Sequence, residues 1–76
     1  MKNPVRYITQ TGDSSTMYIN VFELINCEYV LTKYYVIGTK IWYSIWPESC
    51  ISLDEFNFTI TPTKEISEED AFLEFL

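Results

Sequence analysis

Val30-Leu31-Thr32-Lys33-Tyr34-Tyr35-Val36-Ile37-Gly38-Thr39-Lys40-Ile41-Trp42-Tyr43-Ser44-Ile45-Trp46 is the stretch on which the fold turns. A type II′ hairpin turn requires Gly at the first central position of a two-residue loop, and Ile37-Gly38-Thr39-Lys40 offers it between two runs of β-branched and aromatic residues. Register follows: Val36 faces Ile41, Tyr35 faces Trp42, Tyr34 faces Tyr43, Thr32 faces Ile45 and Leu31 faces Trp46, and opposed residues share a face. Val30, Thr32, Tyr34, Val36, Ile41, Tyr43 and Ile45 then form a face without charge, expected to be the core. The other face holds Leu31, Lys33, Tyr35, Ile37, Lys40, Trp42, Ser44 and Trp46, an aromatic stripe broken by two lysines and a serine, expected to be partly wet.

Before the hairpin, Val5 to Thr9 is rich in β-branched and aromatic residues and follows Pro4, which suits an edge strand. Thr11 to Ser15 reads as a loop. Thr16 to Phe22 alternates as a strand, with Met17, Ile19 and Val21 on one face and Tyr18, Asn20 and Phe22 on the other. A helix over residues 17 to 25 is the alternative. A turn or bulge is expected near Asn26, then a third strand from about Glu28 to Ile37.

After the hairpin, Pro47 ends the strand and Glu48-Ser49 begins a loop. Phe56 to Thr61 alternates, with Phe56, Phe58 and Ile60 inward, and predicts a strand closed by Pro62. The last segment predicts a helix from about Ser67 to Leu76. Ser67 is the N-cap with Asp70 three residues on, and Glu68, Glu69 and Asp70 place negative charge where the macrodipole favours it. Ile66, Phe72, Leu73, Phe75 and Leu76 lie on one broad arc, and so short a helix must dock on something. The expected fold class is α+β, mainly β: an antiparallel meander of about five strands with a short C-terminal helix.

A chain of 76 residues has room for one domain. Domains this small bury only about 60% of the surface the unfolded chain exposes. A hydrophobic content of 47%, with five Phe, six Tyr and two Trp, supplies the dense core this demands. The scarcity of Gly, Ala and Arg beside plentiful Ile, Tyr, Asn and Lys fits an AT-rich genome, such as that of a low-GC bacterium, a phage or another mobile element. No export-type apolar run follows Lys2 and Arg6, so reduced thiols at Cys27 and Cys50, buried as small hydrophobes, and a cytoplasmic setting (the host cell's, if viral) are expected. No apolar stretch approaches the roughly 20 residues of a membrane span.

Charge is lopsided. Residues 1–47 carry four bases (Lys2, Arg6, Lys33, Lys40) against three acids (Asp13, Glu23, Glu28), a net of +1. Residues 48–76 carry eight acids (Glu48, Asp54, Glu55, Glu65, Glu68, Glu69, Asp70, Glu74) against Lys64 alone, a net of −7. Phosphate neutralisation by Lys and Arg supplies most nucleic-acid affinity, so direct duplex DNA binding is not expected and a basic protein partner is.

The chain has no His, which removes the usual triads and dyads, and neither Cys has a basic activator beside it in sequence. Asp54-Glu55 and the acids of 65–70 are the candidate carboxylate pairs, but a chain this short makes a poor substrate cleft, and a solvated loop and helix start explain them. Gly12 and Gly38 are too isolated for a phosphate loop, a dinucleotide fingerprint or a calcium loop. No metal, no cofactor and no catalysis are expected.

The sequence therefore names a surface. Tyr35, Trp42 and Trp46 are candidate aromatic anchors for a protein partner. Glu48, Asp54, Glu55, Glu65, Glu68, Glu69, Asp70 and Glu74 are candidate mimics of nucleic-acid charge toward a basic groove. Each has a plainer use, the stripe as the seat of the C-terminal helix and the acids for solubility. In size, charge and lack of catalytic residues the chain is similar in type, though in no motif, to small phage-encoded inhibitors such as anti-CRISPR and anti-restriction proteins. It is also similar in type to inhibitors of DNA-repair glycosylases, and an acidic antitoxin or immunity protein would look the same. The leading expectation is a non-enzymatic inhibitor of a host nuclease or other nucleic-acid-binding protein. The alternatives are a single-stranded nucleic-acid binder using Tyr35, Trp42, Lys33 and Lys40, and an assembly subunit or homodimer pairing through sheet edges.

Overall fold

The computed structural model describes residues 4–12, 16–49, 51–56 and 63–76. It contains strands β1 (Val5–Thr11), β2 (Met17–Ile25), β3 (Glu28–Val36), β4 (Ile41–Ser44) and β5 (Thr63–Ile66), with helices α1 (Leu53–Phe56) and α2 (Glu68–Phe75). The strands form one antiparallel sheet in the order β4-β3-β2-β1-β5. The expected mainly β class, meander and C-terminal helix are thus present, and the alternative helix over 17–25 is strand β2.

The turn expected near Asn26 is present, and the one expected at Gly38 is present in altered form. Asn26 and Cys27 both lie in the left-handed region, at φ 51° and 65°, and join β2 to β3 through a two-residue reversal. At the second hairpin the Val36–Ile41, Tyr35–Trp42 and Tyr34–Tyr43 pairs stand as the sequence predicts. The turn differs: instead of a two-residue type II′ loop, residues 37–40 make a four-residue reversal. The Lys40 N–H donates to the Val36 carbonyl at 2.9 Å, with Gly38 at φ 105° and Lys40 at φ 59°.

The hairpin faces are not sorted as expected, and one bulged residue accounts for the split between Leu31 and Tyr35. Val21 pairs with Lys33 but the next residue, Phe22, pairs with Leu31, so Thr32 is an extra residue in β3. Such a bulge swaps the faces of everything beyond it. Tyr35 is therefore 2% exposed, in a cluster with Tyr7, Ile19, Val21 and Ala71 beneath α2. Leu31, grouped with Tyr35 by simple alternation, lies on the opposite face with Ile8, Phe22, Leu53 and Phe56 beneath α1. Ile41 and Tyr43, expected in the core, are exposed, although Tyr43 stacks on Tyr34 at 5.0 Å.

Other expectations are corrected by packing. β1 is not an edge strand, because β5 pairs along its outer side with Tyr7 opposite Ile66 and Thr9 opposite Lys64. The sequence predicts no element at Thr63–Ile66, which is strand β5. Of the strand expected at 56–61, Phe56 ends α1 and is buried, while 57–61 lie outside the described residues, as does Pro62. Cys27 is an exposed free thiol rather than a buried one, because its turn projects from the sheet; Cys50 lies outside the described residues.

Two measurements test this packing. The Tyr35 hydroxyl is buried without a hydrogen-bond partner, an arrangement that costs about 1–3 kcal/mol. Tyr35→Phe is expected to raise stability by about 1 kcal/mol in urea unfolding; a loss would show that the hydroxyl is satisfied. Cys27→Gly relieves a left-handed non-glycine residue, for a gain of about 0.5 kcal/mol after the flexibility glycine adds to the unfolded chain, read as a higher urea midpoint.

Candidate binding groove between helix and sheet

Helix α2 begins where the sequence places it. The Ser67 hydroxyl oxygen accepts the Asp70 N–H at 3.1 Å, which satisfies a free donor of the first turn and leaves Glu68, Glu69 and Asp70 at the positive end of the helix dipole. Ala71, fully buried, brings the helix backbone close to the sheet. Phe75 then rests on the paired rings of β3 and β4, 5.1 Å from the Tyr35 ring and 4.7 Å from that of Trp42. At the far end the Lys40 ammonium donates to the Leu76 carbonyl at 3.1 Å, so the β3–β4 turn holds the helix terminus.

The helix covers only part of this face. Beside it runs a groove of about 660 Å³, with Tyr7, Val21 and Trp42 on the sheet side and Phe72 and Phe75 on the helix side. Two carboxylates line it, Glu23 from β2 and Glu68 from α2, with one ammonium, Lys33. The Thr32 hydroxyl, on the bulge residue, donates to the Glu23 carboxylate. Lys33 lies over the Trp42 ring, its ammonium 5.0 Å from the centroid, a distance at which the ring quadrupole attracts a cation. Tyr7 sits edge-on to Phe72 at 6.2 Å. Burial raises the Tyr7 phenol pKa above its ordinary value, and the charges of Glu68 and then Glu23 push it the same way.

The residues singled out in the sequence do not converge. Tyr35 is an internal residue, not an exposed anchor. Trp42 is 43% exposed and lines the groove, whereas Trp46 is 76% exposed and lies beyond the end of β4. The acids are divided by the sheet. Asp54 and Glu55 are exposed on α1, which packs on the Phe22 face, and Glu48 lies in the short 3-10 turn before it. Glu68, Glu69, Asp70 and Glu74 are exposed on α2, which packs on the Tyr35 face. Glu65 is already engaged, accepting from Arg6 Nε at 3.0 Å and Nη2 at 2.6 Å, while the same guanidinium lies 5.2 Å from the Tyr29 ring centroid. Glu23, Tyr7 and Phe72 line the groove without being marked as site residues by the sequence. Continuing the β2 alternation from Met17, Ile19 and Val21 to Glu23 places that carboxylate on the face α2 covers.

Among the described residues there is no cluster of three or more His, Cys, Asp or Glu suited to a metal, and no helix long and apolar enough to cross a membrane. No family model matches the chain, and no curated protein or solved structure matches it.

The Arg6–Glu65 pair predicts a pH dependence. The hydrogen bonds from Arg6 hold the Glu65 carboxyl below its ordinary pKa, with the charge of the guanidinium acting in the same direction. Its contribution is present at neutral pH and is lost as pH falls through the folded-state pKa. Because both side chains are partly exposed, that contribution is about 0.5 kcal/mol. Glu65→Gln is expected to be less stable than the parent by that amount at pH 7 and equal to it near pH 2, measured by urea unfolding at both values.

Proposed function

We propose that the chain is a small, non-enzymatic inhibitor or regulator that binds a basic, nucleic-acid-processing protein, of the anti-CRISPR or anti-restriction kind, in a phage or mobile-element setting. One observation carries this reading: the acidic first turn of α2 lies beside a groove lined by exposed aromatic side chains. Carboxylates on a fixed helical frame steer a basic partner, and partly exposed rings next to them supply the apolar contact that slows its departure. Because the sheet separates the α1 acids from the α2 acids, the proposed contact uses the α2 side, a smaller surface than residues 48–74 taken together. Mimicry of nucleic-acid charge then falls to Glu68, Glu69, Asp70 and Glu74.

The single-stranded nucleic-acid reading loses support. Its platform needs Tyr35, which is internal, and its two lysines are engaged, Lys33 on Trp42 and Lys40 on the Leu76 carbonyl.

The test is affinity capture from a bacterial host, followed by competition of each captured protein with duplex DNA. A DNA-binding protein that DNA displaces, whose affinity falls with salt and by about tenfold or more on reversing Glu68, Glu69 and Asp70 to Lys together, is the expected result. Affinity unchanged by that triple reversal would overturn the assignment.

A further inference from the structure

We infer that the groove beside α2 is a receptor for one arginine side chain of the basic partner, and that Lys33 occupies its place in the free protein. The inference rests on the functional reading above and names the group recognised. Rings and carboxylates together are the chemistry that holds an organic cation. Trp42 and Phe72 are both partly exposed along the groove, while Glu23 and Glu68 enter it from the sheet and from the helix. A cation between them gains from the ring faces and from two negative charges.

The chain itself supplies the precedent. The side chain of Lys33 is exposed, and its ammonium rests over Trp42. With two carboxylates and one ammonium, the lining keeps a net charge of −1 even with Lys33 in place, so the charge invites a further cation. The Thr32 hydroxyl bonded to Glu23 reduces the freedom that carboxylate would lose on binding. A guanidinium suits this lining better than an ammonium. It is flat, so it stacks on an indole; it offers several N–H donors to carboxylates, and it is more weakly hydrated than an ammonium. Arrival of the arginine displaces Lys33 from the Trp42 face toward solvent, where its methylene stem and charge are readily accommodated.

The experiment uses the full chain and three capped tripeptides, Gly-Arg-Gly, Gly-Lys-Gly and Gly-norleucine-Gly. Binding is followed by NMR through the Trp42 indole N–H, assigned with Trp42→Phe. A saturable shift with the arginine peptide, weaker with the lysine peptide and missing with norleucine, is expected. Glu23→Gln combined with Glu68→Gln, which keeps an acceptor for Thr32, should weaken arginine binding about tenfold, and Lys33→Met should tighten it about fivefold. An equal response to norleucine would mean an apolar slot, and affinity untouched by the two Gln substitutions would mean that the carboxylates play no part; either overturns the inference. So does the lack of a saturable shift in both the parent and Lys33→Met. Should a DNA-displaceable partner still depend on Glu68–Asp70 while the arginine peptide fails, the functional reading stands and the receptor falls. If the peptide binds as expected and no such partner exists, the reverse holds.

Discussion

A single bulged residue divides the large side chains of β3 between the two faces of the sheet. Thr32 has no partner in the β2–β3 ladder, so β3 advances by two residues while β2 advances by one between Val21 and Phe22. Because side chains alternate along a strand, that slip sends Leu31 to one face and Tyr35 to the other. Each face then acquires its own apolar cluster and its own helix: α1 over Phe22 and Leu31, α2 over Tyr7 and Tyr35. A 76-residue chain with one sheet gains from this, since both sides of its central strands are used for burial. The same residue turns its hydroxyl to Glu23, which links the irregularity in the sheet to the lining of the groove.

How far the sequence disclosed this depends on whether a feature is local. The reversal around Gly38 and the cap at Ser67 each rest on the backbone needs of a few adjacent residues, and both are found where those residues place them, although the first is a longer loop than a glycine-led turn implies. The bulge has no such signature. Thr favours strands wherever it stands, and nothing in Val30 to Tyr34 marks which residue is skipped; the choice is made by what β2 and the helices need to bury. β5 was hidden for a related reason. Thr63–Ile66 carries two charges in four residues and is mostly exposed, so alternation gives little signal, and its pairing with β1 is a contact across the whole chain. Phe56 looked like the first residue of an alternating strand and instead closes a single helical turn, where its burial beside Phe22 outweighs local preference.

Proximity in sequence proved a poor guide to proximity on the surface. The C-terminal acids are consecutive enough to read as one patch, yet the sheet lies between the α1 group and the α2 group, and Glu65 is paired to Arg6. The groove, by contrast, draws its lining from β1, β2, β3, β4 and α2. Its two carboxylates come from positions 23 and 68, which nothing but the fold associates.

The strand order carries a consequence for how the chain assembles. β1 through β4 follow one another as neighbours, so that part of the sheet can zip up hairpin by hairpin from contacts close in sequence. β5 must instead travel back to the start of the chain, and α2 follows it directly. Residues 63–76 thereby close the molecule twice, shielding the outer border of β1 and roofing the Tyr35 cluster in one stroke. Only Ser67 separates the two coverings along the chain. One short terminal segment thus serves as a clasp over the four-strand meander, covering one border and one face of the sheet.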